Sequence, residues 1–295
     1  MALATLRSSG DEADFEPVYH HYTPHKAGLP PLVPYVRELW HRRPFAAELS
    51  RATMRGANVS TFFGQAWLVI NPLLLAGVYY LLVTIIRGEH DPGLFLHLTV
   101  TLFAFNIIQS SVTQGATSVT SSGKLLINTA FPRLLIPLST VRTAFFRFLP
   151  TIPVYIIFHF ILAPLSSWHP RMLLSLYFLA MMVIFSAGLA AFFAALQVYF
   201  RDTSQFLPYF VRLWMYLAPV LWLPENLERF SRTLQVFVQS NPLYPLLAGY
   251  AELLQGGTFP ATWMWVASAG WAFGAAVIGF WFFVSREREF AVRIT

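Results

Sequence analysis

Six stretches of this chain run for the length of a bilayer with almost no charge. Trp67–Ile86, Pro92–Gly123, Phe148–Pro170, Met172–Phe200 and Ala261–Ser285 contain no Asp, Glu, Lys or Arg, and Thr203–Leu223 contains only Arg212. A helix crosses the hydrocarbon core with about 20 predominantly apolar residues. Inside it, only helices and closed barrels satisfy every backbone polar group. A chain of 295 residues cannot bury six such helices in an aqueous core. Its 12% of charged residues is half the roughly 25% typical of soluble domains. The fold class expected is all-α integral membrane, with six transmembrane helices.

Between the fifth and sixth runs, Phe230–Ser240 and Leu243–Gln255 are apolar but too short to cross, and Asn241-Pro242 and Gly256-Gly257 punctuate them. Residues of about 226–257 therefore read as a re-entrant helical hairpin. Residues 1–34 are polar, lack the apolar run of a signal peptide and read as a poorly ordered cytoplasmic tail. Residues 35–62 hold an amphipathic interface helix: Pro44 suits a first helical position, and Phe45, Leu49 and Ala52 recur at helical spacing beside Arg51 and Arg55. A simple positive-inside anchor is the alternative. Residues 63–295 form the six-span domain.

The Lys/Arg distribution orients the spans. Sixteen of the 20 basic residues fall in the N-terminal tail, the C-terminus, and the loops and borders after the second and fourth spans; Arg87, Arg171, Arg229 and Arg232 fall on the other side. Both termini are expected in the cytoplasm of a bacterial inner-membrane, multi-pass protein. Membrane lipids are expected partners, and nucleic acid is not.

Several chemistries are excluded. There is no cysteine, hence no disulfide or thiolate metal site, and no metal site is expected elsewhere. No carboxylate lies in any span, which disfavours a secondary transporter coupled to protons or sodium. Ser122-Gly123-Lys124-Leu125 lacks the spacing and final hydroxyl of a phosphate-binding loop, and no zinc-protease or nucleophile-elbow motif occurs. No enzyme activity and no cofactor in this chain are expected.

The remaining signals are positional. Tyr79, Tyr80, Phe103, Phe105, Trp214 and Tyr216 are aromatic at mid-span, where rings can stack on sugars or simply face lipid. Arg212 reads either as a channel cation or as a side chain snorkelling to the interface. His97 and His159 line a polar path or bond a neighbouring helix. Asp202, between the fourth and fifth runs, is placed to cap the fifth helix, with Gln205 completing the cap. Ser121–Arg133 carries Lys124, Leu125 and Phe131 in a short loop suited to docking or to resting on lipid.

These elements, in this order, resemble the membrane subunit of type-2 ABC exporters of the polysaccharide and polyol group. The likeness runs from about Tyr35 to the C-terminus. It is carried by Leu49-Ser50-Arg51, Gly64-Gln65-Ala66-Trp67, Asn71-Pro72-Leu73, the stretch Phe131-Pro132-Arg133 to Pro137-Leu138, Phe200-Arg201-Asp202, Pro219-Val220, Asn241-Pro242-Leu243 and Leu253-Leu254-Gln255-Gly256-Gly257. The resemblance implies a homodimer with two copies of a cytoplasmic ABC ATPase that binds ATP and Mg. It implies a coupling helix at about 121–131, with Ser122, Lys124, Leu125, Phe131, Arg201 and Asp202 as ATPase contacts. It implies an N-terminal gate helix, a channel lined by spans one, two and five, and a polyprenyl-pyrophosphate-linked polysaccharide as substrate, for whose pyrophosphate Arg51, Arg55 and Arg212 are candidates. Within the group the likeness is to actinobacterial cell-wall galactan exporters. A polyprenyl-linked glycosyl- or acyltransferase and an exporter of drugs or small lipids are the alternatives.

Overall fold

The computed structural model describes residues 31–56, 63–88, 91–123, 125, 131–164, 167–255, 259–290 and 293, and among them the regular structure is entirely helical, with no strand. Expectations for residues 1–30, Lys124, 126–130 and Gly256-Gly257 fall outside the described residues.

The helices are α1 (Leu32–His41), α2 (Arg43–Gly56), α3 (Trp67–Arg87), α4 (Pro92–Ser121), α5 (Leu135–Phe148), α6 (Thr151–Leu162), α7 (Ser175–Tyr199), α8 (Thr203–Leu217), α9 (Arg232–Gln239), α10 (Leu243–Leu254) and α11 (Thr262–Arg286). Five helical stretches among the described residues are long and apolar enough to cross a bilayer: Gly64–Ile86, Pro92–Ser121, Leu135–Leu162, Pro170–Tyr199 and Thr262–Glu289. Two boundaries differ from those expected. The third span begins at Leu135, so Arg142 and Arg147 sit on its helix and not in a loop. The fifth apolar run is α-helical for only 15 residues, ending at Leu217.

That early end has a physical cause. Pro219 cannot donate to a helix, and the chain turns over Ala218–Val220. The carbonyls this releases are buried and need partners. α4 supplies them: His97 Nε2 lies 3.0 Å from the Pro219 carbonyl oxygen, and the Thr101 hydroxyl donates to that of Val220 at 3.1 Å. Asn241 then closes the segment. Its carboxamide oxygen accepts from the Trp214 indole (2.7 Å) and the Leu243 amide (3.1 Å), and its nitrogen donates to the Leu217 carbonyl (3.2 Å). One side chain thus joins the end of α8 to the start of α10.

α4 and α7 form the buried centre, whereas most of α3 is uncovered. Small residues bring the helices together, as they do where no hydrophobic drive separates protein from lipid. A Cβ on Gly279 of α11 would stand 2.0 Å from the Gly188 carbonyl oxygen of α7, and one on Gly115 of α4 would stand 2.7 Å from the Ala190 Cβ. α7 and α11 run parallel. Tyr177 near the start of α7 donates to the Trp265 carbonyl near the start of α11 at 2.7 Å, and Ala194, Ala195 and Val198 share a cluster with Phe283 and Val284 at the other end. The chain from 200 to 261 must therefore climb the length of the bundle.

α1 and α2 lie against that second end. Tyr35 is buried beside Phe290 and Leu134, and its hydroxyl donates to Glu287. α2 packs on α5, where the Thr143 hydroxyl donates to Ser50 Oγ at 3.0 Å.

Candidate functional site

A cavity of about 260 Å³ opens between α3, α4, α5 and α8. Asn71 of α3, Asn106, Gln109 and Ser110 of α4, and Arg147 of α5 supply its polar lining; Trp67, Phe105 and Met215 are among its apolar walls. Asn71 precedes Pro72, which sits in the first turns of α3, and Arg147 lies four residues, one helical turn, beyond Thr143 and its bond to α2. The lining helices α3, α4, α5 and α8 carry no Asp or Glu. The cavity can therefore hold an uncharged polar or an anionic group, but it offers no general acid or base.

The mid-span aromatics divide into groups. Tyr79 and Tyr216 meet, their hydroxyls 3.3 Å apart, joining α3 to α8. Tyr216 is exposed, and Arg212, one turn earlier on α8, is exposed as well. Trp214 is held by Asn241. Tyr80 packs edge-on against Phe95 at 5.4 Å. Phe103 and Phe105 are buried in the protein interior, Phe105 against the polar cavity and Phe103 against a different, apolar cavity that also holds Tyr155 and His159. His159 is bonded to Tyr155 (3.2 Å) and Ser167 (2.9 Å).

The two basic candidates on α2 are exposed, and Arg51 is paired with Glu48 at 2.5 Å. Of the loop candidates, Ser122 and Leu125 are described, and Phe131 packs at a tilt against Phe45 of α2 with ring centres 4.7 Å apart. Arg201 and Asp202 are exposed at the α7–α8 corner. Asp202 makes no side-chain cap bond. Gln197 does that work instead: its oxygen accepts from the Ser204 amide at 2.7 Å while its nitrogen donates to the Arg201 carbonyl at 2.9 Å. A side chain anchored on the preceding helix reaches that N-terminus better than the short Asp202, which takes helical backbone angles itself.

Arg147, Asn71, Asn106 and Gln109 are not among the site residues expected from the sequence, although Asn71 belongs to a stretch that carries the family resemblance. The available signal was an arginine flanked by Phe145, Phe146 and Phe148, a pattern more at home on a helix than in a loop.

No family model matches the chain. Over 202 residues it is 33% identical to the O-antigen export system permease protein RfbA of Klebsiella pneumoniae, covering 67% of this chain and 75% of the relative. The chain belongs to the O-antigen export system permease family. A second permease of that name from Klebsiella pneumoniae is 31% identical over 205 residues, 68% of this chain and 75% of the relative. The permease of that name from Myxococcus xanthus is 26% identical over 267 residues, 89% of this chain and all of the relative. Five helical stretches long and apolar enough to cross a bilayer accord with membership of a permease family.

Proposed function

We propose that this chain is the membrane subunit of an ATP-driven ABC exporter that carries a polysaccharide out across the bacterial inner membrane. The observation that carries the reading is the pairing of family membership with six membrane-length apolar runs that hold no carboxylate: such a channel needs a motor from outside. On this reading two copies of the chain assemble with two cytoplasmic ABC ATPase subunits, which bind ATP and Mg. The substrate is a polyprenyl-pyrophosphate-linked, galactan-like polysaccharide.

Six crossings follow on the same reading. Five long helices would leave the chain ends on opposite faces, yet Tyr35 touches Glu287. α8 with the turn at 218–223 makes the additional crossing, and α9 and α10 form a re-entrant hairpin. Both ends are cytoplasmic, in keeping with the excess of arginine there. α2 is the interfacial gate, and residues 121–131 couple to the ATPase. The ring contact between Phe131 and Phe45 supports a path from coupling loop to gate.

The test is ATP hydrolysis by the purified complex of permease and ATPase. Phe131→Ala and Lys124→Ala lower the rate if the loop couples. An unchanged rate with an intact complex removes the coupling assignment. Glycan transfer by the chain alone, with no ATPase, would replace the exporter by a membrane transferase.

A further inference from the structure

We propose that Arg147, with the amides of Asn71, Asn106 and Gln109, forms a binding pocket for a phosphoryl anion at the inner-leaflet level of the bundle. The inference rests on the exporter reading for its orientation, and assigns a ligand to a cavity that reading leaves open.

Arg147 lies within an apolar stretch, Leu135–Leu162, that is long enough to cross a bilayer. It is half-buried there, and among the described residues no hydrogen bond or ion pair holds its guanidinium. The four helices around it contain no carboxylate to neutralise it. A cation in that setting is costly, and such groups pair or face a functional cavity. Arg142, one turn and a residue earlier, behaves differently: its guanidinium lies over the Phe146 ring at 4.5 Å. Arg147 instead faces a cavity.

The rest of the lining matches an anion with several oxygens. Ser110 donates to the Asn106 carboxamide oxygen at 3.1 Å, which leaves the Asn106 NH₂ available as a donor to a ligand in the cavity. Neither the Asn71 nor the Gln109 side chain is hydrogen-bonded to a described residue. A guanidinium fork and three exposed amide side chains line this open cavity from three helices, with no acid among them. A carboxylate has two oxygens to satisfy; a phosphoryl group presents three or more, and arginine is the residue suited to it. At about 260 Å³ the cavity is of a size that suits a headgroup. Trp67, Leu68 and Leu102 provide apolar walls along which a lipid tail can lie.

Depth points the same way. Arg147 is one turn beyond Thr143, whose hydroxyl ties α5 to the amphipathic α2. A helix lying in the interface marks the headgroup level. The phosphoryl group can belong to the lipid-linked substrate or to a bilayer phospholipid.

Native mass spectrometry of the purified permease–ATPase complex separates these sources, using a polyprenyl diphosphate and, separately, phosphatidylglycerol as probes. Arg147→Gln is expected to lower retention of the bound phosphoryl lipid by about tenfold or more, and Arg147→Lys by less, since it keeps the charge but loses the fork. Loss of the polyprenyl diphosphate alone assigns the pocket to substrate; loss of phosphatidylglycerol, alone or with it, assigns it to the bilayer phospholipid or to both. Gln109→Leu and Asn106→Leu keep the cation, weaken retention of the same lipid, and serve if Arg147→Gln does not assemble. Equal retention of both probes by wild type and all variants overturns the proposal. Binding is read without transport, so an exporter assignment that fails in cells leaves this result standing on its own.

Discussion

The Tyr35 hydroxyl donates to the Glu287 carboxylate at 2.7 Å across 252 positions of sequence. Arg133 adds a second tie, its guanidinium donating to the Glu287 carbonyl oxygen. Three distant pieces are joined at one residue: the N-terminal helix, the Phe131-Pro132-Arg133 stretch and the turn after the last span. Burial, reinforced by the adjacent Glu287, pushes the Tyr35 phenol up from its ordinary value, so it remains a donor at any cellular pH.

Replacing that donor leaves a buried carboxylate short of a partner. Tyr35→Phe should cost about 1–3 kcal/mol. Hydrogen exchange should quicken in residues 32–41 and 287–290 and remain unchanged in the centre of α4. Equal exchange throughout would show that the contact does not hold α1 in place.

The α7–α11 crossing makes a sharper contrast. Gly279→Ala puts a Cβ against the Gly188 backbone, and should destabilise by about 1–3 kcal/mol or more. Gly270→Ala and Gly274→Ala on the same helix meet nothing within 4 Å and should be tolerated. Thermal unfolding in detergent compares them. A Gly279→Ala protein as stable as the other two would contradict the packing.

Asn241 carries three hydrogen bonds, so Asn241→Leu should cost more than a single bond, about 2–4 kcal/mol, by leaving the Leu217 carbonyl and the Trp214 indole unpaired. Tryptophan emission should shift as Trp214 loses its acceptor. Asn241→Asp keeps the acceptor and should retain that emission while losing the donor to Leu217.

Thr101→Val removes the hydroxyl with little change in shape and strands the Val220 carbonyl, at about 1–3 kcal/mol. His97→Leu does the same for Pro219, and His97→Gln should recover part of the loss. The thermal midpoints of these variants check the turn that ends α8.

Much of the bundle was legible because uncharged length is a direct consequence of the bilayer. α3 begins at the expected Trp67, α4 at the expected Pro92, and α11 one residue after the expected Ala261. Charge also misled. Starting the third span at Phe148 treated Arg142 and Arg147 as loop residues, whereas packing against α2 and α4 carries the helix through them. Apolarity continues past Leu217, so the run to Leu223 gave no hint that Pro219 and two α4 side chains would end α8 there. Nor does aromatic character separate core from periphery: Phe103, Phe105, Tyr79 and Tyr80 are all aromatic at mid-span, but only the structure shows the two phenylalanines buried and the two tyrosines half-buried. The polar cavity was hidden for a related reason. Its lining comes from separate helices, and no spacing within one of them brings Asn71, Asn106 and Arg147 together.

The most direct test of the exporter assignment is to deplete the chain in its host and measure lipid-linked polysaccharide on each side of the inner membrane. Accumulation on the cytoplasmic face, relieved by restoring the chain together with an active ATPase, is the expected result. Unchanged amounts and sidedness after depletion would contradict it.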